Sequence, residues 1–447
     1  MRASAGLADA PVLRVPHTRH RAIAGRRGVA VVDRRRGLSR PRPQTDVIER
    51  IKGLYPAFAM LTLLVADHGA VFVVPPLLAL TGVGLFIATP PAHRHRAVVP
   101  YGLIGFAGWA VLTMLWTENI ATTQSRLIDL ATMAMIGWFM ATLVPLDRML
   151  RSAAWGMKAI ISVTVATALL FPHWANVPRF DVSIGWHGPF NHKNELGFFA
   201  WVTIVTVVIE RGRWWGFWAA LAAVALVGSS SSTAAASLVL IGCIALLGSV
   251  LRRLRSDRQR IVVFSFAGIL VVVAGMALLF DVGLLAGAFG RDVTFTGRTT
   301  IWRAAARSIG QRPLTGHGFG GVWDELGPTS TSVMRAVGAR VYHAHNGFLD
   351  VTLQTGVIGL VLLLGSIGTA LWRARPYFRR NRFLLWPATI LVGMLFSASA
   401  ESAPFMFGGY ALTVAMVTAL LTGTTRAGAL NGSTYLRVHR SSSRRTN

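Results

Sequence analysis

Long apolar segments separated by short polar connections dominate the chain between residues 51 and 423. A helix needs roughly 20 apolar residues to cross the hydrocarbon core of a bilayer. Twelve segments approach that length, at about 51–66, 70–88, 98–116, 127–144, 153–171, 196–209, 215–228, 233–250, 261–280, 346–372, 383–400 and 403–423. The sequence therefore predicts an all-α, polytopic integral membrane protein with about 12 transmembrane helices.

The distribution of charge predicts how these helices cross the membrane. Charged residues make up 14% of the chain, roughly half of what a soluble domain carries, yet 45 Lys and Arg against 18 Asp and Glu give a net charge of +27. Lys and Arg mark cytoplasmic loops, and they collect in every second connection, near 89–97, 145–152, 210–214, 251–260 and 373–382. We expect the cell inner membrane and two cytoplasmic termini. A nucleic-acid partner is not expected, because membrane topology accounts for the excess charge.

Three regions follow from this pattern. Residues 1–50 are predicted to form a basic cytoplasmic tail, disordered and close to anionic lipid headgroups; a start codon placed too far upstream is the alternative. They lack the apolar stretch of a cleavable signal peptide. Residues 51–423 form the transmembrane domain, and residues 424–447 a second basic tail. The single cysteine, Cys243, excludes an intrachain disulfide.

Most of the polar residues suited to chemistry lie in or beside two long outer loops, 172–195 and 281–345. Arg298 and Trp302 share one face of a predicted amphipathic helix in the second loop, an extracytoplasmic one. Arginine suits a diphosphate because its planar fork donates two parallel hydrogen bonds, whereas the alternative is a helix that binds bulk membrane lipid. Glu401, in a short outer turn, either pairs with an outer arginine or is a solvated turn residue.

Two further polar clusters flank predicted helices at the outer surface. His192, Lys193 and Asn194 gather donors at a helix N-terminus, where backbone N–H groups also favour an anion; an ordinary polar cap is the alternative. His343, His345, Asn346 and Asp350 lead into the tenth segment. A histidine there can accept a proton from an attacking hydroxyl. A metal held by His343, His345 and His317 is the competing idea, but no metal-ligand framework is present and we expect none.

The order and spacing of these motifs resemble the O-antigen ligase and polysaccharide polymerase superfamily of membrane glycosyltransferases. The similarity rests on 345–349 (HNGFL) followed by 354–360 (QTGVIGL), and on the stretches Gly297-Arg298 and Pro313–Gly318 before them. The run 190–194 (FNHKN) is more similar to the exopolysaccharide-polymerase branch than to the lipopolysaccharide ligases.

The resemblance implies a metal-independent transfer, without a cofactor, from an undecaprenyl-diphosphate-linked glycan donor to a glycan or lipid acceptor on the extracytoplasmic face. In that picture His345 is the general base or positions the acceptor, and Arg298 holds the diphosphate. The implied helpers in substrate binding are Arg179, Lys193, His192, Asn194, His343, Asn346 and His187. His187 stands where the family pattern has arginine, so either His187 or Arg179 takes over that role.

The resemblance leaves the type of transfer open. A polymerase joining lipid-linked repeat units is favoured, and a ligase moving a finished glycan to a lipid or protein is the alternative. Membrane lipid, a flippase and a chain-length protein are the further partners that it implies. A twelve-span transporter or flippase is the reading of a different class, but no convincing pair of interrupted spans relates the two halves.

Overall fold

The computed structural model of the protein describes residues 43–65, 73–90, 98–172, 185–254, 256, 258–259, 298–324 and 327–442. In this part of the chain all regular structure is helical. The helices are α1 (Pro43–Val65), α2 (Val74–Ile87), α3 (Tyr101–Leu112), α4 (Ile120–Thr142), α5 (Leu146–Leu170), α6 (Lys193–Glu210), α7 (Trp215–Ser229), α8 (Ser232–Arg253), α9 (Arg298–Gln311), α10 (Pro328–Val337), α11 (Gly347–Ala374), α12 (Leu385–Ala398) and α13 (Phe407–Ser442). Short 3₁₀ turns join several of them.

The predicted apolar segments that fall on described residues coincide with helices, whereas segment 261–280 lies outside them. Among the described helices, three are long and apolar enough to cross a membrane, Leu146–Leu170, Ser232–Leu251 and Gly347–Tyr377. Four shorter apolar helices accompany them. The described residues are therefore all-helical, as predicted, and their apolar helices are consistent with a membrane protein, whereas the count of twelve spans stays a prediction.

Several helices differ from their predicted form. α1 begins at Pro43 rather than at about 51, so the end of the tail predicted to be disordered is helical; α5 begins at Leu146 rather than at about 153, and α13 extends to Ser442 rather than to about 423. The fourth segment was expected to begin at about residue 127, but α4 begins at Ile120, because the side chain of Asn119 accepts a hydrogen bond from Thr122 N and caps the helix. Arg126 is consequently a residue of α4 rather than of the outer loop. In addition, α10 was not predicted.

The helices pack closely where small residues meet. α4 lies against α13, and Gly137 brings its backbone next to the carbonyl of Ala411. Glycine at such a contact lets two helix backbones approach, which is how helices associate within a bilayer. Fully buried Trp386 fills the interior, and its Nε1 donates to Thr206 Oγ1 at 3.0 Å.

Helix α11 is broken in its middle. Gly356 has φ +68° and ψ −176°, a backbone conformation that is essentially confined to glycine. The loop 313–318 packs into the break, so that a Cβ on Gly356 would lie 2.0 Å from the carbonyl oxygen of Leu314. Two of the sequence motifs, 313–318 and 354–360, are thus the two sides of one contact.

The backbone groups released by this break are satisfied from outside the helix. His317 N and Gly318 N donate to the carbonyls of Leu353 and Gln354 at 2.9 and 3.0 Å, and the indole Nε1 of Trp109 donates to Thr355 O at 2.7 Å. On the other side, the N–H groups of residues 357 and 358 donate to the carbonyls of residues 313 and 314. A broken helix at membrane depth is tolerable only with such replacements.

Candidate active site

Glu401 is the centre of a polar cluster formed by segments that are far apart in the sequence. Its Oε1 accepts hydrogen bonds from Arg298 Nη2 at 2.8 Å and from Asn194 Nδ2 at 2.7 Å. Its Oε2 lies 3.8 Å from His345 Nδ1. The first residue of α9, the first turn of α6 and the loop before α11 therefore meet at one carboxylate in the turn between α12 and α13.

Arg298 is fixed at the start of α9 by two partners. Besides its bond to Glu401, it donates through Nη1 to the backbone carbonyl of Ala400. One turn further along α9, Trp302 Nε1 donates to Ala344 O at 2.9 Å, which ties the helix to the loop carrying His345. The amphipathic helix predicted for this loop is present, and its Arg298 and Trp302 face the polar cluster.

His345 occupies a left-handed backbone position beside a second histidine. Its φ is +51°, a region that few residues other than glycine adopt and in which Asn, Asp and His are enriched. The rings of His343 and His345 lie 4.1 Å apart, and the His345 N–H donates to His343 Nδ1 at 3.3 Å. Among the described residues, buried His345 Nδ1 makes no hydrogen bond, although it points towards Glu401.

Burial and neighbouring charges shift the pKa values of His343 and Glu401. Burial, reinforced by the charge of His345, lowers the pKa of His343 to about 3. Burial alone would raise the pKa of Glu401, but His345 and Arg298 outweigh that effect and hold it below its ordinary value. Near neutral pH, His343 is therefore uncharged and Glu401 is ionised.

Asn346 and Asp350 hold the loop 342–346 in place. Asn346 caps α11 by accepting hydrogen bonds from the N–H groups of residues 348 and 349, and its Nδ2 donates to Ser399 O at 2.9 Å. Asp350 Oδ1 accepts from Ala344 N and from Trp323 Nε1, both at 2.9 Å, and Oδ2 accepts from Ser402 Oγ. The polar residues leading into α11 therefore position the backbone on either side of His345.

The other predicted site residues divide into three groups. His192 caps α6 by accepting a hydrogen bond from Asn194 N at 3.1 Å, and it contributes to the lowered pKa of His343. Half-buried Lys193 is the first residue of α6. His187 is buried instead, with Nδ1 2.8 and 2.9 Å from the carbonyls of residues 188 and 190 in its own loop. Arg179 lies outside the described residues.

His317 belongs to a separate network. Its Nδ1 lies 3.0 Å from Glu118 Oε1 and its Nε2 lies 2.8 Å from Ser308 O. Thr329 also donates to Glu118, so the network joins α9, α10 and the loop before α4. Both ring nitrogens are engaged, and the idea that His317 shares a metal with His343 and His345 has no support in this geometry.

The partners of Glu401 are not evident from the sequence alone. Its pairing with an outer arginine was one of two alternatives, and the arginine is Arg298. The available signal was an acidic residue in an apolar turn close to two membrane segments, where an ionisable group is costly without a function. That signal does not name partners, because Asn194 and Arg298 are 207 and 103 positions away.

Two comparisons with known proteins relate the chain to a family. Residues 217–364 match the model of the family described as O-Antigen ligase, a range that contains α9, the histidine loop and the broken part of α11. The exopolysaccharide production protein ExoQ of Rhizobium meliloti (strain 1021) is 28% identical over 282 residues, which cover 60% of this chain.

The aligned part spans 63% of that relative, a little under two thirds of its length. The family resemblance inferred from the motifs is confirmed by both matches. Together they support an O-antigen ligase-like membrane protein, near the exopolysaccharide branch of that family.

Proposed function

We propose that the protein transfers glycan units from a lipid-diphosphate carrier to an acceptor hydroxyl, as a polymerase of exopolysaccharide synthesis. The observation that carries this proposal is the convergence of Arg298, His345 and Glu401 beside loops expected on the extracytoplasmic face. The proposal includes twelve spans, two cytoplasmic termini and a reaction that uses no metal.

In this proposal His345 is the general base and Glu401 orients it. The carboxylate lies next to Nδ1, so a small approach of the two side chains places a proton on Nδ1 and leaves Nε2 to accept the proton of the acceptor hydroxyl. The ionised state of Glu401 also stabilises the imidazolium that forms. His345 is 28% exposed, so substrate can reach its ring.

Arg298 serves as the anion-binding group. Its two hydrogen bonds use two of five N–H donors, so the guanidinium has further donors for the oxygens of a diphosphate. Negative charge develops on that group as it leaves, and a fixed cation stabilises it. Lys193, on the neighbouring α6 N-terminus, adds a second positive charge.

An apolar groove gives room for a lipid chain. It has a volume of about 400 Å³ and lies among α3, α4, α11 and α13, with Leu103, Phe106 and Trp138 in its walls. A lipid-linked substrate needs such an apolar surface within reach of polar catalytic groups.

The test is replacement of His345 by asparagine in the full chain. Asparagine tolerates positive φ, so His345→Asn removes the base without the backbone strain that alanine would add. We expect normal amounts of protein in the membrane, no polymer, and accumulation of lipid-linked glycan. Arg335→Gln, an exposed change on α10, is the control with unchanged polymer. Polymer of normal amount from His345→Asn would contradict the proposal.

The accumulated intermediate distinguishes the polymerase from the alternative ligase. In cells without the protein, a polymerase leaves single carrier-linked repeat units, whereas a ligase leaves long carrier-linked chains. Mass analysis of the extracted lipid-linked glycans separates these outcomes.

A further inference from the structure

A cavity of about 130 Å³ lies behind the histidine loop, between α4, α11 and the start of α13. Tyr342, the neighbour of His343, lines it, and so does Phe405 from the segment that follows Glu401. Trp323, also in its wall, donates to the same Asp350 carboxylate that accepts from Ala344 N. The cavity and the candidate active site are therefore built on the same short segments.

The polar groups of the cavity combine donors with an acceptor. Arg126 Nη1 and Asp129 Oδ2 lie 3.5 Å apart on α4, with 43% and 44% of their side chains exposed. Gln354 accepts from Gly320 N at 2.8 Å through Oε1, so its amide nitrogen remains as a donor. Gly320, at φ +72°, allows the Arg126 side chain to pass: a Cβ there would lie 2.3 Å from Arg126 Cγ.

Aromatic rings supply most of the remaining wall. They are Phe319, Trp323, Tyr342, Phe405 and Tyr410. Flat apolar rings next to a few placed polar groups fit a ligand with apolar faces and polar edges. A sugar ring has both, because its C–H faces pack on aromatic rings while its hydroxyls bond to carboxylate, guanidinium and amide groups. The charges of Arg126 and Asp129 cancel, and the described lining contains no second cation of the kind that Lys193 supplies near Arg298, so a phosphate is disfavoured. The charged pair also disfavours a lipid chain.

We propose that this cavity binds an uncharged sugar ring of the glycan substrate and positions it next to His345. Arg126, Asp129 and Gln354 determine which hydroxyl pattern is accepted, and the aromatic wall holds the ring face. This assignment rests on the proposed glycan transfer and adds to it a place for the sugar that is separate from the diphosphate contact at Arg298.

Binding is tested with the full chain in lipid nanodiscs by saturation-transfer NMR. The probe is a set of oligosaccharides released by partial hydrolysis of the producing cell's own exopolysaccharide. We expect transfer to sugar C–H protons with the wild type, and at least about fivefold weaker binding with Asp129→Asn or Arg126→Gln. Asp147→Asn is the matched control with unchanged binding, because Asp147 forms a similar exposed pair with Arg151 on α5.

Equal binding by wild type, Asp129→Asn and Arg126→Gln, or no transfer to the wild type, would overturn the assignment. Turnover assays add a second test: Asp129→Asn raises the KM for the acceptor if the ring belongs to the acceptor, or for the donor if it belongs to the donor. No change in either KM would also overturn it. We expect His345→Asn to retain sugar binding while it abolishes polymer synthesis. Absence of sugar binding by the wild type therefore contradicts the sugar site, whereas polymer synthesis by His345→Asn contradicts the proposed transfer.

Discussion

Arg298 is the residue at which the shape of a cation matters more than its charge. Its guanidinium reaches a carbonyl and a carboxylate at once, and the same plane can present further N–H groups to an anion. A lysine ammonium offers the charge without the fork. The two side chains are therefore not equivalent here, although both are basic.

We expect Arg298→Lys to reduce polymer synthesis by at least about tenfold, which corresponds to about 1.4 kcal/mol. The reason is that lysine lacks the planar fork with which Arg298 bonds to Ala400 O and Glu401 Oε1 and presents further N–H groups to a diphosphate. Arg303→Lys, an exposed position on the same helix whose Nε bonds only to the helix carbonyl of Thr299 in the described contacts, is the control. Rates are compared at equal membrane content of the protein. Near-normal synthesis by Arg298→Lys would contradict the requirement for a guanidinium at this position.

His343 makes stability depend on pH. In the unfolded chain a histidine takes up a proton near pH 6.5, whereas folded His343 does so only near pH 3. Between these values the unfolded state binds more protons, so acidification lowers the free energy of unfolding by up to about 1.4 kcal/mol per pH unit. The predicted loss of stability thus begins as pH falls below about 6.5.

Substitution by asparagine isolates this contribution. Melting temperatures of wild type and His343→Asn in detergent are measured at pH 8, 6.5 and 5, and we expect the difference between them to shrink or reverse on acidification. Parallel curves over this range would contradict the role given to His343.

Candidate site residues are visible in the sequence one by one, whereas the contacts between them are not. His345, Arg298 and Asn194 stood out because polar side chains at the ends of apolar segments are few. Their common contact with Glu401 was not predictable, since local periodicity carries no information on which distant turns meet. His187, another predicted site residue, is buried with its Nδ1 close to two carbonyls of its own loop, and its role in substrate binding stays a prediction.

At the scale of the helices, the break of α11 is the feature on which the site depends. The loop 313–318 packs beside residues 353–356 at this break, and the same helix begins with the Asn346 cap next to His345. A glycine in an apolar segment is common among membrane helices, so the sequence of α11 alone did not reveal the break. The packing of the loop against Gly356 determines it.

Gly356→Ala is expected to destabilise the protein by about 2 kcal/mol or more, because alanine is strained at this φ and ψ and its Cβ meets Leu314. Gly365→Ala is the matched control: no atom lies within 4 Å of a Cβ there, and the helix is regular, so the change is neutral or stabilises by up to about 1 kcal/mol. Thermal unfolding in detergent measures both. Equal melting temperatures of the two variants would show that the break in α11 is not required for stability.

A buried ion pair joins α5 to α6. Lys158 Nζ lies 3.0 Å from Glu210 Oε2, and the two side chains are only 5% and 7% exposed. Removing one partner leaves the other charge buried and unpaired, which typically costs about 3–5 kcal/mol. We expect Glu210→Gln to lower the melting temperature strongly, whereas Asp147→Asn, in an exposed pair, changes stability by at most about 1 kcal/mol. Similar melting temperatures for the two variants would refute this role.

At the scale of the whole molecule, charge distribution and helix positions lead to one prediction about topology. The arginine-rich connections predicted as cytoplasmic alternate with the loops that carry Arg298 and His345. If the alternation holds, all groups of the polar cluster around Glu401 belong to the extracytoplasmic side, where a carrier-linked glycan would be presented. Reversed orientation would place them in contact with the cytosol and remove the basis of the proposed reaction.

The single cysteine makes this orientation measurable. Cys243 is replaced by serine, and one new thiol is introduced by Arg335→Cys on α10 or by Arg379→Cys after α11, both exposed positions. A membrane-impermeant maleimide applied to spheroplasts should label the first variant at once and the second only after permeabilisation. The Cys243→Ser chain without a new thiol measures background, and retained polymer synthesis shows that each variant is correctly inserted. Labelling of the second variant in intact spheroplasts would contradict the predicted topology. The reason is that residues 335 and 379 lie on either side of α11, the long helix that follows the loop 342–346.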